Sequence, residues 1–167
     1  LPILFIQKMR LKKNRKALII EEAWKAIASD LMADYIKYLY KTVRKFWGIV
    51  GVVTQEIDDI ISSPIVKDAI INNSQITILL DQSKFKERYS RIAELIGLSE
   101  VECNKIWTIN SLDNRENRSY FKEVYIRRGS IGDVYGVEDP PECYMAYTTE
   151  RAEKDGLKHY ILNSATL

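Results

Sequence analysis

Two carboxylates, Glu21 and Glu22, follow directly on the apolar run Ala17-Leu18-Ile19-Ile20. Where such a pair sits at a strand end, one acid can support the water shell of a divalent cation while the other accepts a proton from an attacking water. The plainer reading is electrostatic: acids at the amino end of a following helix are favoured by its dipole, and by pattern alone this is the commoner case. Gln55 follows a second apolar run, Ile49-Val50-Gly51-Val52-Val53, and Asp81-Gln82 follows a third, Ile76-Thr77-Ile78-Leu79-Leu80. A carboxamide both donates and accepts, so Gln55 suits a group that reports a phosphate or its attacking water; its alternative is a strand-end cap. Gln82 carries the same chemistry less strongly, and Asp81 reads as a solvated acid or a cap of the next helix. Arg44, beside Lys45, lies on the polar face of the first connecting segment. Its forked guanidinium suits phosphate on a neighbouring subunit, and an exposed helical arginine is an equal alternative.

The elements that must position these residues follow from periodicity. Each apolar run has the length and β-branched content of a buried strand. From Ala23 to Trp47, Leu31, Tyr35, Leu39 and Val43 recur four apart, as on the buried face of a crossover helix, with Asp34, Lys37, Lys41, Arg44 and Lys45 on the other side. Ser62-Ser63-Pro64 reads as a cap with proline in the first turn of a helix over 65–72. Strand, helix, strand, helix, strand predicts a parallel sheet with right-handed crossovers. Ligands of such sheets bind at the carboxyl ends of the strands. Three parallel strands would therefore deliver Glu21, Glu22, Gln55 and Gln82 to one rim.

Further along, Phe85 to Ile96 has helical spacing and ends at Gly97, a left-handed terminator. Ser99 and Glu102 have capping-box spacing at the start of another helix, with Ile106 and Ile109 on its apolar side. Asn110 to Ser119 is a polar loop. The segments 120–126 and 133–137 flank Gly129-Ser130-Ile131-Gly132 and predict an antiparallel hairpin at a sheet edge. Glu142 to Tyr147 forms a short helix after Pro140-Pro141, and the charged tail beyond Thr149 is helical or frayed.

The 167 residues are 46% hydrophobic and 29% charged, which excludes a disordered chain and suffices for one domain with a core. No stretch approaches the roughly 20 apolar residues of a bilayer span. The opening Leu1-Pro2-Ile3-Leu4-Phe5-Ile6 has no initiator Met and no signal-peptide flanks, and reads as part of a longer protein. Cys103 and Cys143 lack metal-site spacing and read as free thiols of a reducing cytosol. His159, the single histidine, has no triad pattern around it. A net charge of +2 lacks the basic footprint of a nucleic-acid binder. The basic run from Lys8 to Lys16 reads as solvated surface, with backbone contact to DNA as the minor alternative.

Taken together, four apolar residues into two acids resemble the Walker B element of nucleotide hydrolases. Lys16-Ala17-Leu18-Ile19-Ile20-Glu21-Glu22-Ala23-Trp24-Lys25, Thr42-Val43-Arg44-Lys45-Phe46-Trp47-Gly48, Val53-Thr54-Gln55-Glu56 and Ile78-Leu79-Leu80-Asp81-Gln82 look like the TraG-type conjugative-transfer ATPases of Bacteroides-like bacteria. The resemblance runs from about Arg15 through Thr149 and includes Gly97-Leu98-Ser99-Glu100 and Ala146-Tyr147-Thr148-Thr149-Glu150. It implies an α/β fold, part of a RecA-like P-loop NTPase with a parallel sheet, crossover helices and a carboxyl-terminal antiparallel hairpin. It implies a hexameric motor at the cytoplasmic face of the inner membrane, using ATP and Mg2+ to energise conjugative transfer or type IV secretion together with other components of that assembly.

By the same resemblance, Glu22 is the water-activating acid and Glu21 the acid that orders magnesium through water. Arg44-Lys45 matches the family's Arg-Lys motif, Gln55 its strand-end glutamine, and Gln82 its late Leu-Leu-x-Gln element. Two departures stand out. Glu21 replaces the usual Asp, and no Gly-x-x-x-x-Gly-Lys-Ser/Thr phosphate loop occurs anywhere in the chain. Residues 1–167 are therefore expected to be the carboxyl-terminal part of one RecA-like ATPase domain, inactive by itself. Rival readings are a non-catalytic docking module of the secretion assembly and a DNA-translocating pump of the same superfamily.

Overall fold

Alternation of apolar runs with amphipathic segments builds the architecture, and the computed structural model describes residues 14–111 and 121–164. The chain divides into two compact units, the first running to Gln75 and the second beginning at Ile76. The opening apolar run 1–6, the basic run as far as residue 13, and most of the polar loop after Asn110 lie outside the described residues.

In the first unit, strand β1 (Lys16–Ile20) pairs in parallel with β2 (Gly48–Val52), Leu18 opposite Val50 and Ile20 opposite Val52. The connection contains α1 (Ala23–Ile27), α2 (Asp30–Thr42) and a 3-10 turn (Val43–Phe46), followed beyond β2 by α3 (Asp58–Ile61) and α4 (Lys67–Asn73). Ala23, Ile27, Ala33, Ile36, Ile60, Val66 and Ile70 form the core, against which Ile20, Val52 and Tyr40 pack. Helices thus cover one face of the parallel pair. On the other face Ile19, Ile49 and Val53 are exposed, although parallel strands are ordinarily covered on both faces.

Two local expectations change. The crossover is broken at Ala28–Ser29, and Leu31 is 71% exposed while Tyr35, Leu39 and Val43 are buried. A strict four-residue stripe drifts off a helix of 3.6 residues per turn, and the core meets this one through Ala33 and Ile36 instead. After Pro64 the chain makes a turn, and α4 begins only at Lys67, whose N–H donates to the Ser63 carbonyl at 3.1 Å.

The larger correction concerns the third apolar run. Strand β3 (Ile76–Leu79) does not extend the parallel pair; it runs antiparallel to β4 (Phe121–Arg128), which pairs in turn with β5 (Ile131–Glu138). Four apolar residues do not encode a pairing direction, and β4 offers Ile126 opposite Ile78 and Tyr125 opposite Leu79. The hairpin forms as its glycines predict. Gly129 takes φ 62° in the turn, and a Cβ at Gly132 would lie 1.9 Å from the Tyr125 hydroxyl, so only glycine fits beneath that ring.

Helices α5 (Tyr89–Ile96, after a 3-10 stretch at Ser83–Arg88) and α6 (Glu100–Trp107) cover one face of this antiparallel sheet. Helix α5 ends in a Schellman motif: Gly97 has φ 64°, its N–H donates to Glu94, and the Leu98 N–H donates to Ala93. The capping box at Ser99 and Glu102 is complete. Glu102 is the hub of the unit, bonded by the Ser99 backbone N–H and hydroxyl and by the Tyr125 hydroxyl, each at 2.8 Å. Arg127 Nε lies 3.2 Å away, at ion-pair distance without hydrogen-bond alignment, while its terminal nitrogens donate to the Ile96 and Gly97 carbonyls. Burial pushes the Glu102 carboxyl up, but Ser99, Tyr125 and Arg127 outweigh it and hold it below the usual range. Helices α7 (Pro141–Tyr147) and α8 (Arg151–Ser164) close the chain.

Candidate functional site

The carboxyl edge of the parallel pair carries the candidate site. Beyond the regular strands the ladder continues, with the Val53 N–H donating to Ile20 and the Ala23 N–H to Val53. These two bonds tie the start of α1 to the end of β2. Between them the chain must turn sharply, and Glu22 does so in the left-handed region, φ 51° and ψ 46°. A residue with a Cβ is disfavoured there, and such conformations concentrate at functional sites.

The turn brings Glu22 against Gln55. Gln55 Nε2 lies 3.4 Å from Glu22 Oε1, a contact across 33 positions of sequence. Glu22 Oε2 accepts from the Trp24 indole N–H at 2.8 Å and lies 3.6 Å from Lys25 Nζ. Lys25 Nζ in turn sits 5.1 Å from the centroid of the Trp24 ring. Sequence patterns assign no role to Trp24 or Lys25; a donor two residues beyond a strand-end acid is the signal that finds them. Glu21 is exposed beside them. Thr54, two residues beyond β2, donates to Asp59 at 2.7 Å, which anchors the segment holding Gln55.

Arg44, Lys45 and Gln82 belong to other elements. Arg44 and Lys45 are exposed on the 3-10 turn that leads into β2, and so at the amino edge of the pair, one strand length from Glu22 and Gln55. Gln82 belongs to the second unit, where Nε2 donates to the carbonyl of Leu80 at 3.0 Å. Three parallel strands are not formed: Glu21, Glu22 and Gln55 follow the two strands of the parallel pair, and Gln82 follows a strand of the antiparallel sheet. The Asp81 carboxylate accepts from the Ser83 N–H and caps the 3-10 stretch that follows.

Among the described residues there is no group of three or more His, Cys, Asp and Glu that could hold a metal ion. Magnesium does not need one, since it keeps several waters and is held by one or two carboxylates together with substrate phosphates. Glu21 and Glu22 fit that demand. A phosphate cradle is missing from the sequence altogether. No helix among the described residues is long and apolar enough to cross a membrane.

Comparisons with known proteins bear on the fold and the family. No curated protein matches the chain. The solved structure of VirB4 of Thermoanaerobacter pseudethanolicus is similar in fold, with a TM-score of 0.59 at 19% identity. The match covers 83% of this chain and 35% of that one, so the chain spans about a third of the length of the protein it resembles. The expected fold class holds: a mixed α/β chain with one parallel and one antiparallel sheet, built like a P-loop NTPase. A family profile described as the TraG P-loop domain covers residues 2–166, nearly the whole sequence, and the chain belongs to that family.

Proposed function

We propose that this chain is the carboxyl-terminal part of a RecA-like motor ATPase domain that energises conjugative transfer or type IV secretion. The observation that carries the reading is the meeting of Glu22 with Gln55 at the carboxyl edge of two parallel strands. In this reading Glu22 accepts a proton from the attacking water, and Gln55 contacts the γ-phosphate or that water. Glu21 holds magnesium through water, the ion supplying charge neutralisation on the phosphates when bound. Arg44 and Lys45, on the opposite edge of their own strands, serve a neighbouring subunit of a hexamer rather than their own site. Gln82 is the least supported member of the set. The phosphate loop lies upstream in the complete polypeptide, a reading supported by a P-loop family that matches a chain without such a loop. The assembly works at the cytoplasmic face of the inner membrane.

Substituting Glu22→Gln in the complete polypeptide tests this. ATP binding is retained, and turnover falls by roughly 10²–10⁴-fold, the usual contribution of a positioned base. Undiminished turnover would remove Glu22 from the role. The isolated chain, lacking the cradle, neither binds ATP tightly nor hydrolyses it.

A second reading, a docking module, is favoured by the bare face of the antiparallel sheet, where Ile76, Ile78, Ile131, Tyr135 and Val137 are exposed. Capture of secretion components that depends on these residues but not on Glu22 would support it.

A further inference from the structure

We propose that Trp24 is a positioning residue for Glu22: its indole N–H fixes the carboxylate so that one oxygen stays open to water and to Gln55. The inference rests on the role proposed above for Glu22.

Glu22 sits on an irregular turn, and a long exposed side chain there has several rotamers open to it. Three donors surround its carboxylate, and they differ in rigidity. Lys25 is 63% exposed and reaches Oε2 only at 3.6 Å, too loose to hold a geometry. Gln55 reaches Oε1 at 3.4 Å. Trp24 alone makes a short bond, 2.8 Å to Oε2. Its ring has two side-chain torsions and stands on the first turn of α1, beside Ala23, whose backbone is tied to Val53 and whose side chain is fully buried.

The donor is also of a suitable kind. A carboxylate offers about four lone-pair sites, so one indole bond leaves Oε1 with room for both Gln55 and a water. An indole N–H carries no charge and orients the base without neutralising it. Core packing does not explain the ring, because Trp24 is 44% exposed. The cation of Lys25 lies over the ring, 5.1 Å from its centroid, a second contact on the indole.

The test is Trp24→Phe in the complete polypeptide, a change that keeps a ring and removes the N–H. kcat is expected to fall about tenfold, as for other residues that orient a reacting group through a hydrogen bond, with KM for ATP unchanged. Trp24→His restores a ring N–H and recovers part of the loss. If Trp24→Phe retains kcat within about twofold while Glu22→Gln abolishes turnover, the positioning role is wrong and the function of Glu22 stands. If Glu22→Gln turns over normally, the functional reading itself fails. A second measurement covers the case in which Trp24→Phe misfolds. In the chain carrying Trp47→Phe and Trp107→Phe, emission from Trp24 should shift on Glu22→Ala, and an unchanged spectrum overturns the contact.

Discussion

Replacing Glu22 by glycine and, separately, by alanine isolates the backbone strain at the candidate base. Both substitutions remove the same exposed contacts to Trp24, Lys25 and Gln55, so those losses cancel between them. What differs is the left-handed backbone, φ 51° and ψ 46°. A residue with a Cβ loses about 1–2 kcal/mol in that region, which glycine avoids. Against this, glycine gives the unfolded chain more freedom, worth about 0.4–1 kcal/mol. The difference leaves Glu22→Gly more stable than Glu22→Ala by about 1 kcal/mol. Urea unfolding of the chain carrying Trp107→Phe, followed through Trp24 and Trp47 emission in the first unit, measures it. Equal stability, or a more stable alanine variant, would refute the strained turn. The complete polypeptide carrying Glu22→Gly should fold at least as well as Glu22→Ala and hydrolyse no ATP, stability gained where activity is lost.

Other outcomes follow from the same packing. Ile36→Ala, at a side chain with no exposure, should destabilise the first unit by about 2–4 kcal/mol through the cavity it leaves, measured by the same unfolding. Gly132→Ala sets a methyl 1.9 Å from the Tyr125 hydroxyl, itself pinned by its bond to Glu102, and should lower the stability of the second unit by about 1–3 kcal/mol in a thermal melt. The Glu102 carboxyl is held below its ordinary value of 4.5; its stabilising contribution is therefore present above that value and is lost as pH falls through the lower, folded-state value. Acid unfolding of the second unit should lose that component in Glu102→Gln. The bare apolar faces at Ile49 and Ile78 should make the isolated chain self-associate with concentration, and Ile49→Lys with Ile78→Lys should reduce this in sedimentation velocity.

Much of the local structure is legible in the residues themselves. The capping box at Ser99 and Glu102, the terminator Gly97 and the hairpin turn at Gly129 are short-range signals, and each forms. Strands β1 and β2 are legible too, since their flanking segments leave a crossover helix as the way back to a parallel neighbour. The pairing of β3 is not legible, because its partner β4 comes about forty residues later and an apolar run fits either direction. Gln82 therefore follows a strand of the antiparallel sheet instead of a third parallel strand. In the candidate site, the positions of Glu22 and Gln55 just beyond the ends of β1 and β2 are legible in the sequence. The strained turn at Glu22 and its bond to Trp24 are invisible in the sequence, since they arise where α1 is stitched to Val53 after β2.

The proposed function requires Glu22 to face the phosphate that is cleaved. A structure of the complete polypeptide with magnesium and a non-hydrolysable ATP analogue measures this directly. The Glu22 carboxylate should lie within hydrogen-bond reach, roughly 3 Å, of a water poised in line behind the γ-phosphate, with the Gln55 amide beside it. A carboxylate turned away from the nucleotide, or a nucleotide bound at the other edge of β1 and β2, would contradict it.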